Sequence, residues 1–256
     1  MQTTLILRNE ASRHKVEPAY WPLIHAVVGT VARQLGADLR EVRLLGSIGR
    51  GCAIAGHSDL DLLVITCREE SPQTLAALRE SASAVPGATS LVSRVDLQCM
   101  SLEAIGVHLE YELIVRTDSV NLFGEDHFDC AEVAIINTEL ARLWTPNIDA
   151  ILRDYRCALE NLDLPAAEVM RYSRLTGKDI MKCFQRTVLL RQGLIERSVE
   201  RMHHNLKTYL PQYGEVMDTL WKLYRFPTDR REDVLAALEM CRQVKGNILS
   251  EGEDAR

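Results

Sequence analysis

The chain has 256 residues, of which 46% are hydrophobic, and 30 Lys and Arg stand against 36 Asp and Glu for a formal net charge of −6. That length allows one large or two small domains, each able to bury a core, and the acidic balance argues against a grip on long nucleic acid, which needs a strongly basic surface to neutralise phosphates. Near the N-terminus the apolar run Leu5-Ile6-Leu7 ends at Arg8, too short for a signal-peptide core or a membrane span, so a cytoplasmic location without a membrane partner is expected.

In chain order, Trp21, Ile24, Val27, Val28 and Val31 recur at helical spacing and predict a helix over about 18–35. A strand follows near 41–46, then Leu45-Gly46-Ser47-Ile48-Gly49-Arg50-Gly51 as a glycine-rich turn, and after it Ser58-Asp59-Leu60-Asp61-Leu62-Leu63-Val64 leading a strand near 60–66. Side chains alternate along a strand, so Asp59 and Asp61 point one way while Leu60, Leu62 and Val64 point into a core. Two close carboxylates repel unless a cation sits between them. Paired carboxylates of this kind usually hold a metal, and backbone amides in a glycine turn can approach phosphate oxygens closely. Together they suggest a Mg-nucleotide site. Arg50, inside the turn, is a phosphate candidate by proximity, with a surface ion pair as the alternative, and His57 reads as a loop residue.

A helix near 72–84 precedes a strand near 90–98, where Leu91, Val95 and Leu97 alternate with Arg94, Asp96 and Gln98. Asp96 therefore projects to the polar face, which by itself suits an ordinary solvent-facing residue as well as a functional one. The next strand is expected near 109–116, with Glu110 and Glu112 alternating with Leu109, Tyr111, Leu113 and Val115.

The Gly46-Ser47 turn, the loop and the pair Asp59-Leu60-Asp61 resemble the DNA polymerase β-like nucleotidyltransferase superfamily. Gly46 to Gly51 is similar to the Gly-Ser-x-Ala-Arg-Gly form of small bacterial members, with Gly49 where Ala is more usual, and Leu122-Phe123-Gly124-Glu125-Asp126 to their Leu-Tyr-Gly-x-Asp, with Phe123 for tyrosine. The resemblance implies an α/β (α+β) fold, a mixed-sheet nucleotidyltransferase domain over 1–130 followed by an α-helical bundle domain over 131–256 that binds substrate. It implies Mg²⁺ held by Asp59, Asp61 and Asp96, nucleotide contacts from Gly46, Ser47, Arg50 and Ser58, and Asp96 as the base or a metal ligand, with Glu110 or Glu112 as rivals. The partners implied are ATP or another nucleoside triphosphate and an acceptor hydroxyl, on an aminoglycoside-like antibiotic or on a protein, as in antitoxin-type AMPylating transferases. A non-catalytic nucleotide-binding protein is the reading from another class, and the oligomeric state stays open.

Helices are expected over about 137–161, 166–191, 195–208, 213–224 and 231–248, with Pro165, Pro211 and Pro227 near their boundaries. Residues 1–150 carry 12 Lys and Arg against 20 Asp and Glu, whereas 151–250 carry 17 against 13. Arg171, Arg174, Lys178, Lys182 and Arg186 share one face of the second helix. Basic stripes are usually solvated, but the resemblance gives Lys178 and Lys182 a second reading as triphosphate contacts. Arg197 and His203 match the loose Arg-x(4–6)-His pattern of HEPN ribonucleases, a pattern that arises often by chance. Trp144, Tyr172, Tyr209, Tyr213, Trp221 and Tyr224 could stack on a base or acceptor ring, though aromatics at helical spacing are mostly core. Seven cysteines without a Cys-x-x-Cys pair read as scattered thiols of a reducing compartment.

Overall fold

The computed structural model describes residues 2–87, 91–128 and 132–253. The chain forms two compact units, Ile6–Ala134 and the combination of Met1–Leu5 with Ile135–Arg256. The division expected at 130/131 lies within residues 129–131, outside those described.

After a short strand β1 (Thr4–Leu7), the first unit builds helix α1 (Trp21–Leu35), strand β2 (Leu39–Leu45), the helical turn α2 (Gly46–Arg50) and strand β3 (Leu60–Thr66). Helix α3 (Pro72–Ser83) follows, capped by the Ser71 hydroxyl, which accepts from the Thr74 amide. Then come strand β4 (Val95–Ser101), helices α4 (Leu102–Val107) and α5 (Leu109–Thr117), and strand β5 (Ser119–Phe123). The sheet order is β4-β3-β2-β5. β3 runs parallel to β4, while β2 is antiparallel to both β3 and β5. A parallel neighbour needs a crossover, and α3 supplies it.

Both faces of the sheet are covered, which is why β3 is apolar at nearly every position. Val42, Leu44, Leu60, Leu62, Val64 and Leu97 pack with α1 and α3, through residues such as Ile24, Val27, Val31 and Leu78. Leu45, Leu63 and Ile65 pack on the opposite face with Ile105, Val115 and Phe128. Each such side chain removed from water contributes about 1.5–3 kcal/mol, and the sheet is held rigid between two apolar layers.

The second unit contains α6 (Asn137–Trp144), α7 (Ile148–Glu160), α8 (Ala166–Gln192), α9 (Val199–Tyr209), α10 (Gly214–Arg225) and α11 (Arg231–Glu253). Strand β6 (Val133–Ile136) precedes them and pairs with β1. The N-terminal residues join this unit through Thr3, whose amide donates to Asn137 Oδ1 at 3.1 Å and whose carbonyl accepts from the Asn137 amide at 2.9 Å. The 27-residue α8 is the central helix. Its Ile180, Met181, Phe184 and Val188 share one core with Leu152 and Leu159 of α7, Met202 and Leu206 of α9, Met217 and Leu220 of α10, and Leu238 and Ile248 of α11.

Three expected elements differ. Residues 109–116 are helical, not a strand: Glu112 pairs with Arg116 across one turn at 2.9 Å, and acidic residues at 110 and 112 suit the first turn of a helix. The sheet's fourth strand is Ser119–Phe123 instead. The expected helix over 137–161 is broken at Pro146, after which the Asn147 side chain caps α7 by accepting from the amides of Asp149 and Ala150. The strand expected near 90–98 begins at Val95 and runs to Ser101. Residue 90 lies outside those described.

Candidate active site

The β3 and β4 ladder brings two of the expected carboxylates together. Asp61 and Asp96 are register partners on adjacent parallel strands, with Leu62 paired to Leu97 on the next step. Because Leu62 and Leu97 enter the α1/α3 core, alternation sends Asp61 and Asp96 to the opposite face. Asp59 lies one residue before β3. The pairing continues below the strands, where the Leu60 amide donates to the Arg94 carbonyl at 2.9 Å and the Ser93 amide to the Ser58 carbonyl at 3.0 Å. This fixes the backbone of Ser93 and Arg94 beside Asp59. The Ser93 hydroxyl and Asp59 Oδ1 are hydrogen-bonded. Arg94 Nε donates to Asp59 Oδ2 at 3.1 Å and its Nη2 to Asp96 Oδ2 at 3.2 Å. Among the described residues no three Asp, Glu, His or Cys side chains form a ready metal cage. The guanidinium between Asp59 and Asp96 is the counter-ion that the repelling carboxylates find within the chain.

The glycine turn lies directly against this group. Gly46 follows β2 with φ +73°, and a β-carbon there would overlap Asp61 Oδ2, so the carboxylate reaches the turn only because residue 46 has no side chain. Gly46–Arg50 is one helical turn, with the Cys52 amide donating to the Ser47 carbonyl at 2.9 Å. Gly49, where Ala is more usual, has a spatial reason: a β-carbon would stand 3.3 Å from the Ala11 β-carbon. Ser47 is half-buried. The Ser58 hydroxyl accepts from the Ile54 amide at 2.9 Å and ties down the loop before Asp59. Arg50 is paired with Asp118 at 2.5 Å, both side chains about one-seventh exposed. The Asp118 carboxylate holds the Arg50 guanidinium above its ordinary pKa against the opposing pull of burial.

Other sequence candidates fall elsewhere. Glu110 and Glu112 stand two apart on α5, so they do not share a face as strand alternation required. In the second unit Lys178 is half-buried, and Lys182 stands 3.7 Å from Asp179, which also accepts from the Tyr155 hydroxyl at 2.6 Å. Desolvation, then Asp179, raises that tyrosine's pKa. Arg171 pairs with Glu168 and lies over the Tyr172 ring. Arg197 lies over Trp144, while His203 stacks on Trp221 and pairs with Asp218 at 2.9 Å. Each half of the ribonuclease-like pattern therefore has its own packing partner. Burial pushes the thiols of Cys183 and Cys241 up to about 12, which makes them inert core residues.

Two groups escaped sequence reasoning. Arg94 was visible only as one polar residue of a strand. The other is a buried ion network on β2: Arg43, fully buried, bonds to Glu41 at 3.2 Å, Asp126 at 2.7 Å and the Ser119 hydroxyl at 3.1 Å. Glu41, also fully buried, accepts from His127 Nδ1 at 2.6 Å, and this hydrogen bond raises the His127 pKa. Asp126, the last residue of the Leu-Phe-Gly-Glu-Asp segment, thus has a structural partner. The signal was available, since Glu41 and Arg43 stand at alternate positions among the apolar Val42, Leu44 and Leu45.

A mixed sheet with facing carboxylates beside a glycine turn, followed by helices around one long central helix, defines the class by fold: a mixed α/β sheet domain followed by an α-helical bundle domain. Among solved structures, it is similar to spectinomycin adenyltransferase AAD(9) from Enterococcus faecialis, crystallised with ATP and spectinomycin. The TM-score is 0.56 over 87% of this chain and 98% of that chain, at 13% sequence identity, so the likeness is one of fold. No family model matches the sequence and no curated protein matches it. Among the described residues no helix is long and apolar enough to cross a membrane.

Proposed function

We propose that the protein is a Mg²⁺-dependent nucleotidyltransferase that moves a nucleoside monophosphate, AMP from ATP, onto a hydroxyl of a small-molecule acceptor of the aminoglycoside-like antibiotic class. The observation that carries this reading is the Asp61–Asp96 register pair on adjacent parallel strands, with Asp59 alongside and Gly46 pressed against Asp61. The donor set fits the metal. Carboxylate oxygens are the ligands Mg²⁺ prefers, and the missing side chain at Gly46 lets the Asp61 carboxylate lie against the glycine turn. Asp59 and Asp61 would hold the ion, with Asp96 as a further ligand or as the base. Bound with the triphosphate, Mg²⁺ supplies positive charge against the phosphates.

The chain's own residues do the rest in this proposal. The Gly46-Ser47 backbone receives phosphate oxygens, and Ser58 keeps the loop before Asp59 closed through its bond to Ile54. Asp96 takes the proton of the acceptor hydroxyl as that oxygen attacks the α-phosphorus, the bond from the α-phosphorus to the bridging oxygen breaks, and pyrophosphate leaves. Arg50, committed to Asp118, fixes α2 against the start of β5 and acts on phosphate only by way of that positioning. Lys178 and Lys182 enter as nucleotide contacts on the family resemblance alone. The acceptor class rests on the fold likeness to a spectinomycin adenyltransferase and on the acidic character of the N-terminal half, which suits a polycationic substrate.

The experiment is incubation with each nucleoside triphosphate and Mg²⁺ across a panel of aminocyclitol and aminoglycoside antibiotics, with Asp61→Asn as control. Nucleotidylated antibiotic formed by the wild type and reduced by about a hundredfold or more in the variant is expected for loss of a metal ligand. Absence of any adduct across the panel, or full activity of Asp61→Asn, contradicts the reading. Label appearing on a protein acceptor instead would move the assignment to protein AMPylation.

A further inference from the structure

Arg94 stands where the mechanism needs a change of partner. Its guanidinium spans Asp59 and Asp96, 3.1 Å and 3.2 Å from the nearest oxygens, while its carbonyl is fixed by the Leu60 amide. The side chain is 59% exposed, against 26% for Asp59 and 37% for Asp96. The anchor is therefore rigid and the charged end is near solvent. A divalent cation held by Asp59 and Asp61, with Asp96 as a further ligand, would compete with both of these hydrogen bonds. Once displaced, the guanidinium stays tethered at the edge of the same site, and its planar fork of donors matches a phosphate as well as a carboxylate.

We propose, resting on the nucleotidyltransferase reading above, that Arg94 is a positioning residue with two successive partners: first the Asp59 and Asp96 carboxylates, then a nucleotide phosphate once the metal–nucleotide complex has bound. Free metal must release Arg94 without offering it a new partner. The metal–nucleotide complex releases it and supplies one. The site therefore discriminates against metal alone and loads metal and nucleotide together. The effect is modest in size, since exposed ion pairs are weak, but its sign differs between the two ligands. That difference separates it from a structural role, which would weaken both.

The test measures, by titration calorimetry, binding of Mn²⁺ alone and of Mn²⁺ with a non-hydrolysable ATP analogue to the wild type, Arg94→Gln, Arg94→Lys and Asp61→Asn, with thermal melting as the check on folding. Arg94→Gln is expected to bind free Mn²⁺ about three- to tenfold more tightly, and the metal–nucleotide complex about tenfold more weakly. Arg94→Lys, which keeps the charge without the fork, should fall between it and the wild type. If Arg94→Gln binds free Mn²⁺ no better than the wild type while Asp61→Asn loses it, the exchange of partners is overturned and the metal site stands. If Asp61→Asn binds Mn²⁺ as the wild type does, the metal site itself fails and the exchange fails with it.

Discussion

At the scale of residues, the site is an arrangement of like charges made tolerable by three devices. Asp61 gains room from the missing side chain of Gly46, Asp59 accepts from Ser93 and Arg94, and Asp96 shares that arginine. The proposal gives the carboxylates different work, so their variants should differ. Asp96→Asn is expected to keep the KM for nucleotide within about threefold while kcat falls about a hundredfold or more, because a base acts on the acceptor hydroxyl in the transition state. Steady-state kinetics with the antibiotic that reacts best would check this, and a rise in KM with unchanged kcat would assign Asp96 to binding. Arg43 is a structural counterpart. Replacing it with Met leaves Glu41 buried beside a neutral neighbour, and removing one member of a buried ion pair costs about 3–5 kcal/mol. Denaturant unfolding of Arg43→Met should show a loss of that order. A loss below about 1 kcal/mol, typical of an exposed pair, would mean that the network is not the brace it resembles.

At the scale of elements, strand β3 and the turn before it were legible because their pattern is that of a buried strand entered from a glycine turn. Leu60 to Ile65 is apolar throughout except for Asp61, and a glycine turn precedes it at the expected distance. Residues 109–116 were not legible, because Leu109-Glu110-Tyr111-Glu112-Leu113 alternates as a strand does while its charges also satisfy a helix: Glu112 reaches Arg116, and the acidic residues fall at the N-terminal turn. Only tertiary packing decides, and it buries Leu113, Val115 and Thr117. Arg94 was hidden differently, since its role depends on Asp59, which is 35 residues away in sequence. The turn α2 provides a test of how tightly turn and carboxylate are coupled. Gly46→Ala imposes a left-handed backbone on a residue with a β-carbon, at about 1–2 kcal/mol, and drives that carbon into Asp61 Oδ2. Activity should fall by well over tenfold while the melting temperature drops only a few degrees. Activity retained at that modest destabilisation would show that Asp61 can do its work from another position.

At the scale of the whole molecule, the fold combines an acidic sheet unit with a helical unit of near-neutral sequence, and the combination is similar to a solved spectinomycin adenyltransferase in fold. Fold alone does not select a reaction. Nucleotidyl transfer, phosphoryl transfer and simple hydrolysis all begin with ATP near carboxylates, and they differ in which phosphorus is attacked. The direct measurement is therefore to supply ATP labelled at the α-phosphate or at the γ-phosphate, with Mg²⁺ and a reactive antibiotic, and to find where each label goes. Nucleotidyl transfer places the α-label on the antibiotic and the γ-label in released pyrophosphate. The γ-label on the antibiotic, or released as inorganic phosphate with no label on any acceptor, would contradict it.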